Sequence, residues 1–236
     1  MSRETKCRAI ILKKQPFNEG DEIITFYTLE LGKIRCLAKS VKQSKSKLQQ
    51  KLQSLFIVDL SFTHGKLPKI ISVEPVKVFS RMRENLESLK RAFYAQELVL
   101  KFTPDGQKNE PLFYLLEFFL EFLNSKNPEP VLDLALAKFK LEILRVLGLG
   151  IKSSAGDNQP IFFSASKGGF SRQSSADNLK ALPEVYGLFL ELKDLGFTNL
   201  DKVKNTGGEK DLQNFLSQFI EYQLERKIKS EKYLRQ

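Results

Sequence analysis

The spacing of the apolar residues changes near residue 80, and this change constrains the fold more than any other feature. Before it, five short runs rich in β-branched and aromatic residues are separated by turn residues, and each run has the length of a strand. After it, Met82, Leu86, Leu89 and Phe93 recur at the spacing of one helix face. The sequence therefore predicts an α+β chain with a strand domain over 1–80 and an α-helical domain over 81–236.

The predicted strands cover residues 8–15, 21–29, 33–39, 55–63 and 69–79. Five short strands with a long polar insertion between the third and the fourth suit a small Greek-key barrel, and we expect an OB-fold β-barrel.

The helical domain is predicted from capping residues and apolar spacing. Helices are expected over about 109–123, 128–148, 183–195 and 209–229. Residues 149–182, rich in Gly, Ser and Asn, are predicted to form a long loop.

Cysteine usage and hydropathy indicate the compartment. The two cysteines, Cys7 and Cys36, are too few for a disulfide scaffold. The first ten residues lack the apolar segment of an export signal. The longest apolar run, residues 112–123, contains two glutamates and is far shorter than the roughly 20 residues of a membrane span. We expect a soluble cytoplasmic protein without a membrane partner.

Positive charge is concentrated at one end of the chain. The net charge is +10, and residues 1–80 hold 15 Lys and Arg against 7 Asp and Glu, whereas the remainder holds 23 against 21. No acidic residue lies between Gly32 and Val58. The candidate nucleic-acid-binding cations of that stretch are Lys33, Arg35, Lys39, Lys42, Lys45, Lys47 and Lys51. Such a series can follow the phosphates of a single strand without reading bases, although a solvated loop would have the same composition.

Aromatic stacking platforms usually accompany such cations. Phe17, Phe26, Tyr27 and Phe62 are candidates, although each is more typical of a barrel core. Because Phe26 and Tyr27 are adjacent on a strand, they point to opposite faces. Tyr27, which has the polar tip, is predicted to be the exposed one.

Catalytic and metal-binding residues are scarce. His64 is the only histidine, and none of the common phosphate-loop, dinucleotide or zinc-protease motifs is present. Two cysteines and one histidine cannot complete a tetrahedral metal site. We therefore expect no enzymatic activity, no cofactor, no metal and no small-molecule substrate.

Several short patterns, taken in order, resemble the bacterial RecO family over nearly the whole chain. One departure is Ser40, where the family usually has Gly. The matching segments are residues 10–12 (IIL), 18–21 (NEGD), 27–33 (YTLELGK), 38–40 (AKS), 45–48 (KSKL), 52–55 (LQSL), 94–98 (YAQEL), 139–148 (FKLEILRVLG) and 229–234 (KSEKYL).

A second departure lies in the predicted loop, where many RecO proteins carry a four-cysteine zinc module. Here Gly168 and Gly169 are kept, but Ser171 and Ser174 stand at the cysteine spacing. Serine hydroxyls are poor zinc ligands, so we expect a metal-free module. Its order would then depend on packing around Ile161, Phe162, Phe163 and Phe170.

The resemblance implies a DNA repair and recombination mediator in the bacterial cytoplasm, associated with the nucleoid. Such a protein would bind and anneal single-stranded DNA and, with RecR, help to load RecA onto DNA coated by single-strand-binding protein (SSB). It would also dock the acidic C-terminal tail of SSB on its helical domain, where Lys138, Lys140 and Arg145 are candidate contacts. Two alternatives remain: an OB-fold RNA-binding or RNA-annealing protein, and a helical scaffold whose basic barrel binds an acidic protein.

Overall fold

The computed structural model describes residues 4–41, 47–153, 161–172, 179–204 and 207–234. The chain divides into two compact units, residues 1–125 and 126–236. No helix within the described ranges is both long and apolar enough to cross a lipid bilayer.

The first unit contains a closed five-stranded barrel with the strand order β1-β2-β3-β5-β4. Its core includes the buried side chains of Ile11, Phe26, Leu60 and Val73. A short helix lies between the third and the fourth strand, within the predicted insertion. These elements are β1 (Glu4–Pro16), β2 (Glu22–Thr28), β3 (Gly32–Ala38), α1 (Lys47–Lys51), β4 (Ile57–Thr63) and β5 (Lys69–Lys77). The predicted α+β class with an N-terminal OB-like sheet is confirmed.

Three helices complete the first unit: α2 (Ser80–Glu84), α3 (Leu86–Phe102) and α4 (Glu110–Asn124). The predicted continuous face from Met82 to Phe93 is wrong, because the chain is extended at Asn85, whose side chain accepts the Ser88 N–H at the start of α3. Met82 is buried, whereas Leu86 and Phe93 are exposed.

The helices of the first unit pack with the barrel. Lys77 of β5 donates to Glu117 and Glu121 of α4, and the Gln96 side chain of α3 donates to the carbonyl of Ile11 in β1. The boundary between the compact units therefore lies after α4. The spacing of apolar residues changes from that of strands to that of helices before α2, where the domain boundary was predicted.

The second unit combines helices with a small sheet. Its helices are α5 (Glu129–Val146), α6 (Pro183–Asp194), a 3-10 helix (Phe197–Lys202), α7 (Glu209–Leu224) and α8 (Glu231–Leu234). The sheet has the order β6-β8-β7-β9 and consists of β6 (Lys152–Ser153), β7 (Ile161–Ser164), β8 (Gly169–Ser171) and β9 (Leu179–Ala181). The prediction of a loop over 149–182 is thus wrong for these strands.

Aromatic packing holds this sheet against the helices. The Phe163 ring stacks on Phe215 of α7 at a centroid distance of 4.9 Å, and Phe170 lies 4.8 Å from Phe189 of α6. The two strands that carry these rings contain only three or four residues each, which is too short to show an alternating pattern in the sequence. The composition of this segment therefore predicts a loop. Ser174, one of the two serines at the cysteine spacing, lies outside the described residues.

Candidate nucleic-acid interface

A row of three residues crosses the outer face of β1, β2 and β3. Lys13 pairs with Thr25, and Thr25 pairs with Arg35, so the three side chains share one side of the sheet. Lys13 and Arg35 are exposed, and adjacent strands are spaced about 4.8 Å apart, which places the two cations on strands roughly 10 Å apart. Thr25 itself is buried, so the face can offer a polyanion two separate positive charges, one on each side of β2.

The β1–β2 turn carries an exposed aromatic ring at one end of the barrel. Phe17 is 49% exposed, and its N–H donates to the carbonyl of Asp21. The Asp21 carboxylate accepts the Ser40 N–H at 2.8 Å. This bond ties the turn to the start of the basic insertion, where Lys39 is exposed. Phe17 and Lys39 therefore lie at the same end of the barrel.

Ser40 has a left-handed backbone, with φ of 54°. Glycine adopts that conformation without a Cβ penalty, which explains the glycine that is usual at this position in the family that the sequence resembles. The bond to Asp21 compensates for part of the strain at Ser40.

Lys33 is a structural residue and not part of an exposed cationic face. Its side chain is only 14% exposed, and its ammonium donates to the carbonyls of Leu100 and Thr103 at the C-terminal end of α3. The Asp105 carboxylate lies 3.5 Å away. The expectation that Lys33 lines the strand face with a free charge is wrong, because the loop after α3 covers it.

Arg35 forms an ion pair with the same carboxylate, at 3.0 Å from Asp105. Here both side chains are more than half exposed, so water screens the pair and it contributes little. A phosphate can therefore replace Asp105 at Arg35.

The prediction that Tyr27 is exposed is wrong. Tyr27 points away from Phe26, as expected, but both side chains are fully buried. The Tyr27 ring stacks on Phe113 of α4, and its hydroxyl donates to the carbonyl of Asn109 at 3.2 Å. Burial raises the pKa of Tyr27 to about 12. The outer face of β2 is covered at Tyr27 by α4, which local alternation cannot reveal.

The remaining predicted cations divide into two groups. Lys51 forms an ion pair with Glu74 of β5 at 2.7 Å. Lys42, Lys45 and the side chain of Lys47 lie outside the described residues. Of the other aromatic candidates, Phe62 is a core residue of the barrel.

Sequence reasoning missed Lys13 and undervalued Phe17. Lys13 immediately follows an irregularity in the β1–β2 register, between Ile11 and Lys13, which sets the face on which it lies. Phe17 follows Pro16 directly, and an aromatic residue beside a turn proline was the available signal for exposure.

The described residues hold no group of three potential metal ligands among His, Cys, Asp and Glu. Cys7 and Cys36 are buried free thiols of the barrel core. Burial, reinforced by the charge of Glu30, raises the pKa of Cys7 to about 12, and burial raises that of Cys36 to about 12. Both thiols therefore stay protonated and unreactive at neutral pH.

The three candidate cations of the helical domain do not form one surface. Lys138 is buried and donates to Glu142 and to the carbonyl of Lys193. Lys140 is buried against α7, where it donates to Gln213 and Ser217. Arg145 alone of the three is exposed. Lys138 and Lys140, two of the three candidate contacts for an acidic tail, are thus held inside the unit, because α5 is packed on both sides.

Lys140 also lines a groove of about 830 Å³ between α5, α7 and α8. Its wall carries Lys210 and four carboxylates, those of Glu129, Asp133, Glu209 and Glu231. The excess of negative charge disfavours an acidic ligand there.

Comparison with known proteins gives two family matches that together cover most of the chain. Residues 1–79 match the family model "Recombination protein O N terminal", and residues 83–232 match "Recombination protein O C terminal". A DNA repair protein RecO of Pelotomaculum thermopropionicum is 29% identical over 97% of this chain and 93% of its own length. One of Dehalococcoides mccartyi is 36% identical over 61% of this chain, a stretch that spans 56% of that protein. One of Geobacter sulfurreducens is 32% identical over 64% of this chain and 61% of its own length.

Proposed function

The chain belongs to the RecO family of DNA repair and recombination proteins, and from that premise we propose that it binds and anneals single-stranded DNA without catalysing a reaction. The proposed site is the barrel face, defined as Lys13, Phe17, Arg35 and Lys39. The supporting observations are that the exposed cations Lys13 and Arg35 share one side of β1–β3, and that an exposed ring, Phe17, lies with Lys39 at one end of the same barrel. Cations contact phosphates, and the ring stacks a base.

Two features favour a single strand over other polyanions. Flexible lysines follow phosphates of any sequence, and a half-exposed phenylalanine contacts only a base that is free to unstack. A duplex keeps its bases stacked and offers no partner for Phe17. An acidic protein would use the cations and leave the ring in water.

The decisive experiment is a titration of labelled oligo(dT) by fluorescence anisotropy at two salt concentrations. Each lost phosphate contact lowers the salt slope by about 0.7, so Lys13→Glu with Lys39→Glu should lower it by about 1.4. Phe17→Leu should weaken binding by about 1–3 kcal/mol with an unchanged salt slope, since it removes only stacking.

Lys6→Glu is the matched control, because Lys6 lies on the same strand and is 81% exposed, but at the other end of β1. Equal losses in Lys6→Glu and in the barrel-face variants would mean a diffuse field and would remove the site. Tighter binding of RNA than of DNA in competition would favour an RNA-annealing protein. No binding of any nucleic acid at moderate salt would favour a scaffold for acidic proteins.

We further propose that the chain works with RecR to load RecA onto SSB-coated DNA, and that it docks the acidic, apolar tail of SSB. Family membership supports these partners. In the helical part, Arg145 is the candidate contact that solvent reaches, since its side chain is 69% exposed. Its guanidinium donates to Glu142, and a tail carboxylate could share it.

The tail proposal is tested by titrating an acidic peptide that ends in phenylalanine against the full chain. Arg145→Glu should weaken binding at least tenfold, while binding of the wild type should persist in part at high salt through its apolar contacts. Binding that is insensitive to Arg145→Glu, or that oligo(dT) displaces completely, would refute this dock.

A further inference from the structure

A second cluster of exposed rings and cations lies near the C-terminal end of the second unit. Two tyrosines stand at its edges, Tyr222 with 52% and Tyr233 with 49% of the residue exposed. Four exposed cations separate them in the sequence. We name this set the C-terminal cluster: Tyr222, Arg226, Lys227, Lys229, Lys232 and Tyr233.

Buried residues between the exposed ones fix the backbone of this segment. Helix α7 ends where Glu225 turns into the left-handed region, with φ of 52°. The Ile228 side chain is buried, and its N–H donates to the Glu221 carboxylate at 3.2 Å. Glu231 of α8 is buried in turn and lines the groove beside Lys140. The cluster is therefore presented on an anchored turn, which lowers the entropy lost when a ligand orders it.

The charges of the segment are unbalanced on its exposed side. Glu225 is the one exposed carboxylate among residues 221–234, against four exposed cations. Cations near a helix C-terminus stabilise the helix dipole, and this accounts for Arg226 and Lys227 at the end of α7. It does not account for Lys232 on the next helix, nor for two half-exposed tyrosine rings.

Lys232 and Tyr233 form a unit suited to a nucleotide. The Lys232 ammonium lies 4.8 Å from the centroid of the Tyr233 ring. Since the ammonium lies over one face of the ring, a base stacked on the other face or against the ring edge would bring its phosphate close to a cation. Unlike Lys33 and Lys51 of the barrel, neither Arg226 nor Lys232 has a carboxylate partner among the residues that the structure describes.

We propose that the C-terminal cluster is a second binding surface for single-stranded nucleic acid, separate from the barrel face and able to hold a second strand. The inference takes its ligand class from the proposed function. The two surfaces belong to different compact units of the chain. Annealing brings two strands together, and a second surface would let one chain hold both of them.

The test is the stoichiometry of a short oligo(dT), of about eight nucleotides, on the full chain at low salt. An OB-fold surface takes about 4–16 nucleotides, so an oligonucleotide of this length fills one surface. The wild type should bind two. A cluster variant with Arg226→Glu, Lys232→Glu, Tyr222→Ser and Tyr233→Ser should bind one, as should the barrel variant with Lys13→Glu and Lys39→Glu. The two combined should bind none.

Matched controls exist for both kinds of substitution. Lys210→Glu reverses an exposed charge at the opposite end of α7, and Tyr114→Ser removes a tyrosine of the first unit that is 49% exposed. Neither should change the stoichiometry. Equal circular dichroism and melting temperature would show that the cluster variant is folded. Photocrosslinking of the wild type to an iodouracil-containing strand should label Tyr222 or Tyr233, which gives a readout that needs no variant.

The outcomes separate this inference from the proposed function. One oligonucleotide on the wild type, unaffected by the cluster variant and crosslinked only to the barrel, would overturn the inference and leave the barrel face standing. Binding lost in the cluster variant but unchanged in the barrel variant would support the cluster and refute the barrel face. The annealing rate should fall at least fivefold in the cluster variant, since each lost base stack costs about 1–3 kcal/mol, or 5- to 150-fold in affinity.

Discussion

Gly32→Ala should destabilise the first unit severely. Gly32 starts β3 with φ of +70°, and an added Cβ would lie 2.0 Å from the carbonyl oxygen of Gln107 and 2.9 Å from the nitrogen of Lys108. Both are backbone atoms of the loop between α3 and α4, so no side-chain rotation relieves the overlap. The loop has to move away from β3.

The structure allows the cost to be estimated. A left-handed alanine costs about 1–2 kcal/mol. Moving the loop breaks the 2.8 Å bond from the Gly106 N–H to the Lys33 carbonyl, which costs about 0.5–1.5 kcal/mol. It also disturbs the bonds of the Lys33 ammonium, each of which contributes about 1.5–3 kcal/mol. We expect a loss of about 3–6 kcal/mol, a large part of the 5–15 kcal/mol that usually stabilises a domain.

Gly106→Ala is the matched control for this substitution. Gly106 lies in the same loop with φ of +76°, and its added Cβ would meet nothing within 4 Å. Gly106→Ala should therefore lower the free energy of unfolding only by the cost of a left-handed alanine, about 1–2 kcal/mol. Urea unfolding followed by circular dichroism measures both variants. Equal losses in the two would show that the close approach of the loop to β3 contributes nothing, and the reasoning would fail.

Two further predictions concern the second unit. Burial alone would raise the pKa of Glu142, but its bonds with Lys138 and Arg145 outweigh burial and hold the pKa below its usual range. The ionised carboxylate therefore stabilises the fold above the unfolded pKa of about 4.3, and this contribution is lost as the pH falls through the folded pKa. Glu142→Gln should cost about 1–3 kcal/mol at pH 7, and the difference from the wild type should shrink below about pH 4 in urea titrations. The purified protein should contain no stoichiometric zinc by elemental analysis, and a chelator should leave its melting temperature unchanged; one zinc per chain would contradict the assignment of Ser171 to a metal-free module.

The strands and most helices could be predicted because their signals are local. The start of α4 follows from Asn109, whose side chain accepts the Leu112 N–H, and from Pro111 in the first turn. The five strands follow from alternation, and their order follows from the long insertion after the third. The end of α7 was predicted five residues too late, because nothing in the sequence marks Glu225 as a left-handed residue.

The errors at the candidate site have a common physical origin in contacts distant in sequence. Tyr27 is covered by Phe113, and Lys33 is held by carbonyls of Leu100 and Thr103. Alternation along a strand separates its two faces, but it does not tell which helix will cover the outer one. The charge count identifies a basic region in the sequence, but it cannot separate charges held by the fold, such as that of Lys33, from charges that remain exposed.

The position of Lys33 has a consequence for how substitutions in this protein should be interpreted. Its ammonium caps the C-terminal end of α3 by donating to the carbonyls of Leu100 and Thr103. Lys33 therefore couples the barrel to the helix that follows. In a screen that scores DNA binding or survival after DNA damage, Lys33→Ala would resemble the loss of a phosphate contact. Its true effect would be the loss of the hydrogen bonds that connect β3 to α3. The two cases can be distinguished, because loss of these bonds lowers the folded fraction and leaves the salt dependence of the remaining DNA binding unchanged.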